Sequence, residues 1–308
     1  MLSAYTIDRV TKIYPGQSAP ANREISLEIA AGEIFGFLGD NGAGKTTLVR
    51  QMVNLLKSTA GTISLFGRRV DADPLLVACN VGYMPQESYY LNNMTVGEAL
   101  YYTARLRGLS RADSRRERDR LLDAWQIGDL RDRVNTRLSV GQRRLLRLAI
   151  TMTGSPPVLI LDEPTNDLDP QRRKLVWDLL RSENASRGTT VIFITHDAIE
   201  AEKIIQRVGI LRCGELVAVG SPSVLKRAVD RKLRLELLFS PDAPPRLPAG
   251  VEVLAVQPGR WLVYLDWQGS AQSVSTFLDQ IDLSQVDDFR LYSATLEDLY
   301  LYYAQSPA

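Results

Sequence analysis

One histidine, two cysteines and no long apolar run are what these 308 residues hold in short supply. The cysteines, Cys79 and Cys213, form neither a metal-binding spacing nor a disulfide pattern, which suits a reducing compartment. The longest apolar stretches, 158–161 and 191–194, have strand length and fall far short of the ~20 residues a membrane helix needs. Charge of one sign is also missing: 37 basic residues stand against 36 acidic ones, so global electrostatics favours neither nucleic acid nor an anionic membrane surface. The opening MLSAYTIDRVTKIY meets a charge before an apolar run can build, so no secretory signal is expected. If the chain acts at a membrane, another chain must supply the spans.

What is present is an alternation of short apolar strands and amphipathic helices over residues 1 to about 225, the pattern of a parallel sheet covered on both faces. A buried strand is expected at 34–38. A helix is expected at 47–57, where Leu48, Val49, Met52, Val53, Leu55 and Leu56 recur at helical spacing. Further strands are expected at 63–66, 158–161 and 191–194, with a hairpin across Cys213-Gly214. From about 87 to 154 the texture turns helical and arginine-rich, as for an insertion between two parts of the sheet. Residues 105–147 hold 13 arginines against six acidic residues, a composition that suits a solvated helical face.

The Pro-rich stretch SPDAPPRLPAG at 240–250 cannot continue a helix or lie within a central strand. Strands are expected around it at 233–239, 251–256 and 261–267. In the last of these, Trp261, Val263, Leu265 and Trp267 alternate onto one face. A helix at 273–281, a strand at 289–292 and a helix opening at Thr295 would complete a small α+β unit over 226–308. Thr295 and Asp298 have the spacing of a capping box.

The chemistry begins at Gly39-Asp40-Asn41-Gly42-Ala43-Gly44-Lys45-Thr46, which matches G-x-x-x-x-G-K-[ST] between an apolar strand and an amphipathic helix. Such a loop turns backbone N–H groups onto phosphate oxygens at a helix N-terminus. Lys45 would reach the β- and γ-phosphates, and the Thr46 hydroxyl would ligate Mg²⁺; Thr47 follows inside the same site. The apolar strand 158–161 runs into Asp162 and Glu163, and ligands in open α/β folds sit at that end of a strand. There Asp162 can hold Mg²⁺, and Glu163 can act as general base or orient the attacking water.

Leu138-Ser139-Val140-Gly141-Gln142 closely resembles the LSGGQ signature of ABC ATPases. The phosphate loop, this signature, the turn Asp162-Glu163-Pro164, the NDLD of 166–169 and the ITHD of 194–197 occur in the order found in that family. The resemblance covers residues 1 to about 225 and departs at Val140, where the family usually has glycine. It implies a P-loop NTPase core of ABC type, α/β with a helical insertion, binding ATP and Mg²⁺. It also implies that the signature of one copy completes the ATP site of another, so that a second copy of this chain, or a paralogous ATPase, is a partner. Ser139, Gly141 and Gln142 would then face the partner's nucleotide. By the same resemblance His196 matches the switch histidine at the γ-phosphate, Tyr14 the aromatic that stacks on adenine, and Gln86 the glutamine joining Mg²⁺ and water to the helical insertion.

The terminal ATLEDLYLYY resembles the end of ATPase subunits from ABC-2-type exporters. This implies a separate multi-span permease as second partner, docking near 87–106 where Tyr89, Tyr90, Leu91, Met94 and Tyr101 offer apolar contacts. It places the chain at the cytoplasmic face of the cell membrane. The alternative is a soluble ABC ATPase acting on ribosomes or DNA. Lys45 and Asp162 lie only 117 positions apart (162 − 45) with no heptad run between them, which speaks against a chromosome-type member.

Overall fold

In the computed structural model the described residues are 2–86, 91–195, 202–229, 232–248, 252–266, 275, 277–281, 285–296 and 298–299. They fall into two compact units, Met1–Ser221 and Pro222–Ala308. The division lies a few residues before the boundary of 225 drawn from the sequence.

The first unit opens with strands β1 (Ser3–Lys12) and β2 (Asn22–Ala30). Strand β3 (Ile34–Leu38), helix α1 (Lys45–Met52), strand β4 (Ala60–Leu65) and the short β5 (Arg68–Arg69) follow. Helix α2 (Pro74–Asn80) leads into β6 (Val81–Met84). The insertion then contributes α3 (Val96–Leu106), α4 (Arg111–Ala124) and α5 (Val140–Met152). The sheet resumes with β7 (Val158–Asp162), helix α6 (Pro170–Arg187) and β8 (Thr190–Ile194), and ends in the hairpin β9 (Arg207–Arg212) and β10 (Glu215–Gly220).

Six strands form one sheet in the order β10-β9-β3-β8-β7-β6, parallel except for β10 at its edge. Every residue of β3, β7 and β8 is buried, as strands covered on both faces must be. The N-terminal strands depart from the all-parallel expectation. They form a separate antiparallel sheet, β2-β1-β4-β5. Their burial alternates between inward residues such as Ile7, Ile25, Leu27 and Ile29 and exposed ones, the signature of a sheet with one wet face. The inward side chains share one core with Phe35 and Phe37 of β3, Leu48 and Met52 of α1, and Ile160 and Ile192 of the central strands.

Helix α1 is shorter than the apolar spacing implies. It ends at Met52 because Asn54 takes a left-handed φ of 56°, and the N–H groups of Leu55 and Leu56 fold back to the carbonyl of Arg50. Leu55 is thereby left in solvent.

The second unit has helix α7 (Pro222–Val229) and strands β11 (Lys232–Leu238), β12 (Glu252–Gln257), β13 (Arg260–Asp266) and β14 (Asp288–Ser293), all antiparallel in the order β12-β13-β11-β14. Its core joins Leu235, Leu237, Val263 and Leu265 to Phe277, Leu278 and Ile281. The capping box forms: Thr295 N–H donates to the Asp298 carboxylate at 2.7 Å, and Asp298 N–H donates to the Thr295 hydroxyl at 3.2 Å. Trp267 and much of the helix expected at 273–281 lie outside the described residues.

Candidate nucleotide site

Three neighbouring parallel strands, β3, β8 and β7, end together; β7 and β8 bring their last residues to one cleft and β3 brings the loop that follows it. Register pairs Phe37 with Ile194 and Ile194 with Asp162 across the three strands. The cleft encloses about 230 Å³ and is lined by Asp40, Asn41, Gly42, Gly44, Lys45, Thr46 and Thr47 from the loop after β3, by Asp162 and Glu163 from β7, and by Ile194, Gln86 and Ala21.

The loop geometry needs its glycines. Gly39 and Gly44 have φ of 154° and 99°, and a Cβ at either would lie within 2.4 Å of a backbone oxygen, that of Leu211 or of Ala21. Gly44 is also the residue from which α1 starts. The Lys45 ammonium lies within the loop, donating to the carbonyls of Gly39 at 2.5 Å and Asp40 at 2.9 Å. Burial pulls the Lys45 pKa below the usual lysine range, against the opposing pull of Glu163, Asp162 and Asp40.

The Thr46 hydroxyl donates to Asp162 Oδ2 at 3.3 Å, joining the loop to the carboxylate strand. Asp162 is 2% exposed, and burial, reinforced by the charge of Glu163, pushes its carboxyl up to about 6. Glu163 has a left-handed φ of 51°, a conformation that a non-glycine residue holds only where its surroundings enforce it. Its N–H donates to the carbonyl of Ile194 at 2.9 Å, and its Oε2 accepts from the Thr195 hydroxyl at 3.1 Å. The end of β8 thus fixes both the backbone and the side chain of Glu163. Spacing alone gave no reason to single out Thr195.

Tyr14 stands half-buried beside the loop, its hydroxyl 3.4 Å from that of Thr47, with the Lys12 ammonium 5.6 Å from its ring centre. Gln86 is exposed at the cleft rim. His196 lies outside the described residues.

The signature residues are not brought to this cleft. Ser139 is the N-cap of α5, accepting from the N–H of Gln142 at 3.3 Å, while Gln142 Oε1 accepts from the N–H of Ser139 at 2.9 Å. Gly141 is buried, and a Cβ there would meet the Arg172 guanidinium at 3.0 Å. Val140, at 53% exposure, presents its side chain at the helix tip. Within one chain, then, the loop 39–46 and the capped tip of α5 occupy different places.

The model of the family described as ABC transporter matches residues 22–166. The daunorubicin/doxorubicin resistance ATP-binding protein DrrA of Streptomyces peucetius is 35% identical over 229 residues, covering 74% of this chain and 68% of that protein. The Nod factor export ATP-binding protein I of Paraburkholderia xenovorans (strain LB400) is 38% identical over 223 residues, or 72% of either chain. The chain belongs to the ABC transporter ATPase family. Another member, ATP-binding cassette sub-family A member 2 of Rattus norvegicus, is 32% identical over 238 residues, or 77% of this chain; the match spans only 10% of that longer protein. An ATP-binding subunit of an ABC transporter superposes with a TM-score of 0.68 at 24% identity, over 74% of this chain and 93% of its own. A cassette solved as a dimer in a post-hydrolysis state with ADP and Pi gives 0.66 at 23% identity, over 70% and 98%. The mixed α/β fold is thus that of the ABC ATPase cassettes.

Proposed function

We propose that this chain binds and hydrolyses ATP as the nucleotide-binding subunit of an ABC-2-type export transporter, driving a separate membrane permease. The observation that carries the catalytic reading is the convergence of the Gly39–Thr46 loop, Asp162 and Glu163 on one cleft at the ends of three adjacent strands. The loop N–H groups and Lys45 take the triphosphate, and Tyr14 offers its ring to the base. Thr46 Oγ1 and the Asp162 carboxylate are the hard oxygen donors that Mg²⁺ requires, with Gln86 at the rim as a third. In that place the ion would neutralise charge between the β- and γ-phosphates. Glu163, steadied by Thr195, orients the attacking water and accepts its proton; His196, outside the described residues, is assigned to the γ-phosphate by the family resemblance alone.

Ser139, Gly141 and Gln142 lie away from the chain's own cleft, which supports a head-to-tail pair in which the α5 tip of one copy closes on the nucleotide of the other. Complete motifs favour two copies of this chain, and a paralogous ATPase fits the same geometry. The export assignment rests on the two bacterial relatives, which are named for drug resistance and Nod factor export. A cleft of about 100 Å³ lies between the end of β6 and the helical insertion, lined by Tyr83, Met84, Leu91, Leu146 and Ile150 together with Arg107 and Arg147, and has room for an apolar side chain of a permease segment. Of the apolar side chains expected there from sequence, Leu91 lines it, Met94 and Tyr101 do not, and Tyr89 and Tyr90 lie outside the described residues. Among the described residues no helix is long and apolar enough to cross a membrane. Attachment at the cytoplasmic face of the cell membrane therefore runs through the permease in this reading. We assign residues 1–225 to the ATPase domain, with its helical subdomain at about 87–154, and 226–308 to an accessory α+β domain, and expect no nucleic-acid partner.

The test is Glu163→Gln. ATP binding should persist, steady-state hydrolysis should fall at least ~100-fold, and light scattering should show a dimer with ATP and Mg²⁺ present. Unchanged turnover would remove Glu163 from the reaction, and a monomer at every concentration would remove the paired site.

A further inference from the structure

Asn22, at the start of β2, is fully buried and touches the phosphate loop from a part of the chain that the loop motif does not include. Its Nδ2 donates to the carbonyl of Gly44 at 3.1 Å, and its Oδ1 accepts from Gln51 Nε2 at 2.8 Å. The same Gln51 nitrogen donates to the carbonyl of Thr47 at 3.2 Å, one turn back along α1.

The orientation of these two amides is dictated by their surroundings. The carbonyls of Gly44 and Thr47 can only accept, so Asn22 must present its NH₂ group to Gly44 and its oxygen to Gln51. Gln51 must then present its NH₂ group to both Asn22 and Thr47. Its own Oε1 is left buried with no hydrogen-bond partner. Buried polar atoms of that kind are costly, and an apolar pair of similar shape would fill the space without the cost. A buried amide pair kept one bond short therefore calls for a role other than packing.

We infer that the Asn22–Gln51 pair is a positioning device for the nucleotide site, setting the peptide plane between Gly44 and Lys45; this rests on reading residues 39–46 as the triphosphate cradle. In a planar trans peptide the carbonyl of Gly44 and the N–H of Lys45 point in opposite directions. That carbonyl accepts the first backbone bond of α1 from the Leu48 N–H at 2.9 Å, and Asn22 adds a second, lateral hold on it from β2 that keeps the N–H of Lys45 turned away from that strand. The loop is pressed against the same place by its backbone, since a Cβ on Gly44 would lie 2.3 Å from the oxygen of Ala21 and 2.6 Å from Asn22 Nδ2. Gln51 ties the arrangement to α1, so that strand, loop and helix move as one.

Calorimetric titration of ATP with Mg²⁺ into the full chain, paired with urea denaturation, tests this. Asn22→Leu should weaken both stability and ATP affinity. Asn22→Leu combined with Gln51→Met removes every unsatisfied group and should recover stability, while affinity stays roughly three- to tenfold below the parent. Parental affinity in the double variant would reduce the pair to packing and overturn the inference. Should the double variant not fold, Asn22→Asp keeps the shape while replacing the donor with an acceptor; weakened ATP binding upholds the inference and unchanged binding overturns it. Lys45→Ala is the control: undiminished affinity there would instead unseat the reading of the loop as the cradle.

Discussion

At the scale of single residues the site is a set of groups held away from their ordinary behaviour. Asp162 shows the consequence most directly. Its carboxyl is pushed up to about 6 from an ordinary 3.8, mainly by burial and then by Glu163. The native state therefore binds the proton more tightly than the unfolded chain does. The stability linked to this group is fully present below about pH 4 and is lost as pH climbs through 6, on the order of 3 kcal/mol. Asp162→Asn, neutral at every pH, should be more stable than the parent to urea at pH 7, with the advantage vanishing toward pH 4. An equal difference at both pH values would refute this electrostatic account. Sequence made Asp162, Glu163 and Lys45 legible because strand, loop and helix signals surround them within a few positions. The left-handed φ of Glu163 and the partnership of Thr195 were not legible, because they arise between strands distant in the chain.

At the scale of elements, α5 is the clearest case of local chemistry deciding an end. Ser139 and Gln142 close a reciprocal pair of hydrogen bonds at its first turn. Ser139→Ala should cost about 1 kcal/mol in urea denaturation, and Ser139→Thr should restore most of it. Loss of hydrolysis in Ser139→Ala without loss of stability would show that the hydroxyl acts on nucleotide alone. The two partners stand three positions apart, so this helix start is decided within one turn of chain. The end of α1 was not legible, because Leu55 and Leu56 continue the apolar period while Asn54 turns the backbone out of the helix. The antiparallel sheet at the N-terminus was missed for a related reason: alternation over 3–12 and 22–30 describes strands with one wet face but does not say which strands they pair with. Asn22 and Ala21 went unnoticed as site residues since they reach the loop only through that pairing.

At the scale of the whole molecule, among the described residues one core unites β1–β4 and β6–β9 with α1, and another is built on β11 and β13 in the second unit. Differential scanning calorimetry should resolve two transitions. ATP with Mg²⁺ at a hundred times its dissociation constant should stabilise the first unit by about 2.7 kcal/mol and leave the other unmoved. A single transition shifting as a whole would show that the units unfold together.

The seating of β8 between β3 and β7 has a metrical consequence. The backbones of β3 and β7 are held two strand spacings apart, ~10 Å, by the backbone ladder, and the loop after β3 crosses that interval to bring Thr46 onto Asp162. No exchange of side chains can lengthen that strand separation. Variation in the lining can retune charge and fit, whereas a change of gauge would require breaking the sheet.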